Sequence, residues 1–156
     1  MLTPLQEKLG EVLGLALAAT VVAGKVAERA EDPVLTAMRR EAEEVQARCG
    51  AIAEAWGGET RWDVLSHAQY VQRKAGEQAQ AWFKAATDAV QAYEFLAMAE
   101  AGEVAATAAL GALGAGDAAI DEPVAWALPL QERHLQHALR RAAETAAAVP
   151  VGTIPA

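Results

Sequence analysis

The chain has 156 residues, 53 % of them hydrophobic and only 5 % aromatic, and carries a formal net charge of −8. That charge, with no basic run longer than the pairs Arg39-Arg40, Arg73-Lys74 and Arg140-Arg141, argues against nucleic acid as a partner. The length suits one domain with one sizeable core, and a lone cysteine, Cys49, excludes an internal disulfide, as expected of a cytoplasmic protein.

Alanine supplies much of the apolar content, and β-branched residues never gather into an alternating run, so the pattern predicts helices and no strands. The first helix is expected from about Thr3 to Arg29, with Thr3 as cap and Pro4 at the first helical position. Leu5, Leu9, Val12, Ala16, Ala19, Ala23 and Val26 recur at helical spacing, and Leu13, Leu17 and Val22 widen the stripe enough to serve several neighbours or a second subunit. Its most apolar stretch, Val12 to Gly24, is shorter than the ~20 residues of a spanning helix, and Glu7 and Glu11 with no basic leader speak against a signal peptide. No membrane is therefore expected as a partner.

Glu31-Asp32-Pro33 breaks the pattern, with Asp32 a cap for a second helix that runs to Trp56 before Gly57-Gly58 ends it. Val34, Met38, Ala42, Val45, Cys49, Ile52 and Trp56 share its inner face, which makes Cys49 a buried, inert thiol; Arg40, Glu44 and Arg48 mark its wet side. From Glu59 to Ala86 the pattern is less regular. Two helical pieces, Asp63–Arg73 and Gly76–Ala85, are expected there as a crossover between bundle ends, held down by Trp62, Tyr70, Trp82 and Phe83. A third long helix begins at Thr87 or Asp88 and ends near Leu113 in a glycine-rich turn, which lacks the lysine and hydroxyl of a phosphate loop. The last starts near Asp121-Glu122-Pro123, ends before Pro150, and should be bent or split by Pro129. Residues 1–149 thus form the bundle and 150–156 a C-terminal tail.

Four long amphipathic segments joined by short, long and short connections resemble the ferritin-like superfamily. The stretches Ala92-Tyr93-Glu94-Phe95-Leu96-Ala97-Met98-Ala99-Glu100-Ala101-Gly102-Glu103 and Leu130-Gln131-Glu132-Arg133-His134-Leu135-Gln136-His137 are similar to bacterial ferritin-like domains. The resemblance implies an all-α, ferritin-like four-helix bundle with a long crossover between helices two and three. It also implies a central pair of iron or manganese ions held by carboxylates from all four helices and by histidines one turn beyond two of them.

The sequence departs from that pattern. No Asp or Glu lies between Glu11 and Glu28, Glu41 and Glu44 have no histidine three residues on, Glu100 is followed by Glu103, and Glu132 by Leu135. The tentative metal-binding set is Glu41, Glu44, Glu94, Glu100, Glu103, Glu132, His134 and His137. His134 and His137 lie one turn apart and either hold a metal or sit at the surface or an interface. Glu100, in register with Tyr93, Ala97 and Val104, turns toward the core, where a carboxylate needs a donor or a metal. The stretch 85–132 holds acids and no Lys or Arg, which makes it a surface for basic partners or one neutralised by Lys25, Arg39, Arg40, Arg133 and Arg140 on neighbouring helices.

No nucleophile–histidine–acid set follows from helical spacing, and no residue is assigned a catalytic role. The leading expectation is a structural or interaction protein without a standard di-metal centre or cofactor, paired as a homodimer through an apolar helix face. The alternatives are an iron or manganese protein that oxidises ferrous ion with oxygen, and a binder of a small apolar molecule between loosely packed helices.

Overall fold

The computed structural model describes residues 1–85, 88–150 and 152. It is an all-α bundle of five helices among the described residues: α1 (Pro4–Ala27), α2 (Val34–Trp56), α3 (Gly58–Ala85), α4 (Ala89–Leu113) and α5 (Ala118–Ala147).

Local chemistry sets most of the ends. Thr3 accepts from the Gln6 amide while Gln6 answers to the Thr3 amide, a reciprocal capping box with Pro4 just inside the helix. Asp88 caps α4 by accepting from the Gln91 amide at 2.8 Å, whereas Thr87 lies outside the described residues. α5 starts earlier than the Asp121-Glu122-Pro123 signal, because Asp117 already caps it through the Ala119 amide. Gly57 alone joins α2 to α3. It and Gly58 have φ of 65° and 52°, left-handed values that a residue with a Cβ adopts only at a cost, so the chain reverses there within one turn.

Two expectations are corrected. The segment after Gly58 is one helix of 28 residues, not two pieces. A single interior glycine, Gly76, costs about 1 kcal/mol, too little to break a run otherwise rich in Gln, Ala, Glu, Lys and Arg. Likewise α5 continues through Pro123 and Pro129. The carbonyls that lose an amide partner belong to the exposed Ala119 and Ala125, where water can replace it. Of the aromatics expected to pack this segment down, Trp82 and Phe83 of α3 contact the Phe95 ring, while Trp62 and Tyr70 are exposed. Most of the 150–156 tail lies outside the described residues.

Helix directions follow from the core. One apolar cluster joins Leu9 and Leu13 of α1, Val45 and Ile52 of α2, Val64 of α3, Leu110 of α4 and Ile120 of α5. A second joins Val22 and Val26, Leu35 and Met38, Phe83, Tyr93 and Leu96, and Ala138 of the same five helices. α1, α3 and α5 therefore run from the first cluster to the second, and α2 and α4 run back. α1 packs against α2, α3 and α4, which accounts for its wide apolar stripe, and α4 packs along α5. α3 is about 42 Å long at ~1.5 Å per residue; it lies parallel to α1, and α3 and α4 barely touch. Its register on α1 is fixed at two glycines: a Cβ on Gly14 would stand 2.5 Å from the Ala68 carbonyl oxygen, and one on Gly10 2.9 Å from the His67 ring.

By length and composition α1 and α4 are apolar enough to cross a membrane; 61 % of the apolar window of α1 is buried in the bundle, against 39 % of that of α4.

A buried carboxylate and histidine layer at the middle of the bundle

Between the two apolar clusters α2, α4 and α5 place polar side chains. α4 contributes Glu100 and Glu103, one turn apart and both buried; α5 contributes Gln131 and His134; α2 contributes Glu41. α1 presents Ala19 and Ala23, so the layer is open on that side to methyl groups only. These residues surround a cavity of about 10 Å³, the size that admits a single water.

His134 is the centre of the layer. Its Nε2 is 2.5 Å from Glu41 Oε2, and its Nδ1 is 3.5 Å from Glu100 Oε2, within ion-pair range but without hydrogen-bond geometry. Burial works against a charged imidazole, yet the Glu100 and Glu41 carboxylates outweigh it and hold the His134 pKa above its ordinary value. Glu103 behaves in the opposite sense. Removal from water and the nearby Glu100 charge push its pKa well above the usual carboxylate range, against a weak opposing contact from Gln131 Nε2 at 3.5 Å. Both shifts favour the protonated form, of His134 through its two carboxylate neighbours and of Glu103 through burial. Three buried side-chain acceptors in and beside it, Glu100 Oε2, Gln131 Oε1 and Thr107 Oγ1, have no hydrogen-bond partner.

One turn farther along α5 a second network closes the upper end. Asp32 Oδ2 receives the Tyr93 hydroxyl at 2.6 Å and His137 Nε2 at 2.7 Å, while Oδ1 receives the Val34 amide at 3.1 Å. Although burial opposes it, these donors hold the Asp32 carboxyl below its usual pKa. Arg140 Nη2 donates to His137 Nδ1 at 2.9 Å, which fixes the tautomer with its proton on Nε2, facing Asp32. Arg141 lies over the Tyr93 ring and 3.6 Å from Asp32.

Of the eight residues singled out from the sequence, Glu41, Glu100, Glu103 and His134 come together. His137 joins Asp32 instead, Glu44 pairs with Arg48 at 2.9 Å on the surface, and Glu94 and Glu132 are exposed. The two histidines thus serve different acids and do not share a site. Asp88 and Asp117 turn out to be helix caps. Asp32 as a hub and Gln131 as a member of the layer were missed as site residues. Gln131 left a trace as an amide in register with Leu128 and Leu135 of α5, whereas the union of Asp32 with Tyr93 and His137 joins the α1–α2 connection to α4 and α5 and leaves no local spacing to read.

The di-metal centre of the ferritin-like pattern does not fit these residues. His134 Nε2 is taken by Glu41, α1 offers alanine where a carboxylate is required, and among the described residues no three His, Cys, Asp or Glu side chains form a group that could hold a metal ion. Comparison with family models, curated proteins and solved structures returns no match.

Proposed function

We propose that the chain is a ferritin-like bundle in which buried polar side chains and ion pairs replace the di-metal centre, and that it works as a structural or interaction protein paired as a homodimer. The return of α3 along α1, linking the parallel helices α2 and α4, supports the ferritin-like reading.

The observation that carries the interaction reading is the uncovered face of α4. Met98, Ala101, Ala105, Ala108 and Ala112 are all exposed and follow one another at alternating three- and four-residue steps, the spacing of a helix-pairing seam. Alanine lets two backbones approach closely, and α4 has no Lys or Arg to oppose it. Packing α4 on the α4 of a second copy about a two-fold axis covers this seam in a self-complementary way.

Light scattering on the purified chain and on Ala105→Glu tests the reading. The expected result is a dimer that becomes monomeric in the variant; a wild-type monomer at the highest soluble concentration overturns it. Metal analysis of the same preparations discriminates the alternative: iron or manganese retained in stoichiometric amount, and lost in His134→Ala, replaces the structural reading with a metal-handling one.

A further inference from the structure

The weak contact between α3 and α4 leaves a cleft whose floor is α1. Leu15 and Val22 line the floor, Phe95 and Ala99 line the α4 wall, and the inner part encloses about 270 Å³. Trp82, fixed by donation of its Nε1 to the Gln91 carbonyl at 3.0 Å, stands at the outer mouth, where a further open volume of about 610 Å³ adjoins. The inner part has polar lining at Gln78 and Glu103. Glu103 and Ala19 also line the central layer, so the inner wall of the apolar cleft is the back of the buried carboxylates.

We propose that this cleft binds an amphiphilic organic cation, an aliphatic chain ending in a protonated amine, with the chain along Phe95, Leu15 and Val22 and the ammonium group at Glu103. The chemistry selects the head group. The layer behind Glu103 holds three carboxyl groups against one imidazole, and Glu103 is the one of the three that also lines the cleft, beside the Gln78 amide. An ammonium brings up to three donors and a positive charge to an acceptor-rich wall. A carboxylate head would meet like charge there, and an alcohol would supply a single donor and no charge. The volume belongs to the class of small-ligand sites, roughly 300–1,000 Å³ when the mouth is included. The cleft meets the proposed α4 seam at Met98, which lines the cleft and its mouth, while Phe95, Ala99 and Glu103 lie off the seam.

Calorimetric titration of the intact chain with n-octylamine, n-octanol and n-octanoate tests it, using the wild type, Glu103→Gln and Ala99→Phe. Octylamine is expected to bind at one site per chain, octanol about ten-fold more weakly or less, and octanoate not at all. Glu103→Gln should weaken the amine by about ten-fold and erase its advantage over the alcohol; Ala99→Phe, which fills the cleft, should abolish binding of both. Circular dichroism establishes that each variant keeps its helices, and Gly102→Leu at the cleft lip, where an added Cβ meets open space, replaces Ala99→Phe if that protein does not fold. No binding of octylamine, equal affinity for the three head groups, or amine binding untouched by Glu103→Gln or by filling the cleft overturns the proposal.

Discussion

His134 of α5 and Glu41 of α2 meet at 2.5 Å in the middle of the bundle, and this pair joins two helices that otherwise touch little. Because Glu100 approaches the other ring nitrogen, two carboxylates flank the imidazole and hold its pKa above the ordinary value, favouring the cation. Removing it leaves both carboxylates without a counter-charge.

His134→Ala should therefore cost roughly 3 kcal/mol at pH 6, the usual penalty for breaking a buried pair from one side. The sign of the pH dependence follows from the raised folded-state pKa. The contribution is complete below the unfolded value near ~6.5 and is lost as pH rises through the folded value. Urea denaturation of both proteins from pH 6 to 9 should show the gap narrowing. A gap that widens with pH would mean that His134 is neutral in the fold.

Glu103 predicts a stabilising change. Its folded pKa is raised, so the native state gains protons relative to the unfolded chain and loses stability as pH climbs above the ordinary carboxylate value. Glu103→Gln, which cannot ionise, should be more stable than the wild type by about 1 kcal/mol or more near pH 7, with the gain shrinking toward pH 4.5. Thermal melts across that range measure it, and a variant less stable at pH 7 would show that ionised Glu103 is needed by the fold.

Two glycines in α1 should respond in opposite directions to the same substitution. At Gly14 a methyl group would meet the Ala68 carbonyl at 2.5 Å and Val71 at 2.7 Å, so Gly14→Ala must push α3 off its seat, at a cost of roughly 1–3 kcal/mol. At Gly24 there is open space, and Gly24→Ala should stabilise by about 0.5–1 kcal/mol through the unfolded chain. Paired denaturation curves settle both. Equal effects would mean that α3 is not seated on Gly14.

Cys49 is buried on the inner face of α2 in the first apolar cluster, and removal from water pushes its thiol up to about 12. It should resist a disulfide reagent at pH 8 in the folded protein and react at the free-thiol rate in denaturant. The native labelling rate, followed over urea concentration, then reports how often this part of the core opens. Fast labelling without denaturant would place the thiol at the surface.

What could be read from the sequence was what helices write locally. The Thr3 and Asp88 caps, the end of α2 at Gly57 and the inner face from Met38 to Ile52 all depend on residues within a few positions of one another. Glu100 was also legible as an inward carboxylate, because its register with Tyr93 and Ala97 left it no other direction. Partnerships across helices were not. Glu41 is near in space to His134 only because α2 and α5 run in opposite directions at one height, and Asp32 reads as a cap whether or not Tyr93 and His137 reach it. Continuity through Gly76 was missed, and a split at Pro129 stood beside a bend as an expectation, for a related reason: local breakers are overruled when the helix on either side is secured by neighbours.

The seating of α3 also has a meaning in time. The pairs α1–α2 and α4–α5 are built from contacts close along the chain, whereas α3 joins the bundle by lying parallel on α1, each contact closing a loop of about fifty residues, as from Gly14 to Ala68. Two hairpins that form early and one long helix that docks late is the order such topology favours. Docked mainly on one neighbour, α3 is also the helix most readily lifted away as a unit, and hydrogen exchange should find its amides opening together, ahead of those in α1. Each such opening would bare the glycine seats of α1 and turn the cleft beside Phe95 into an open trough.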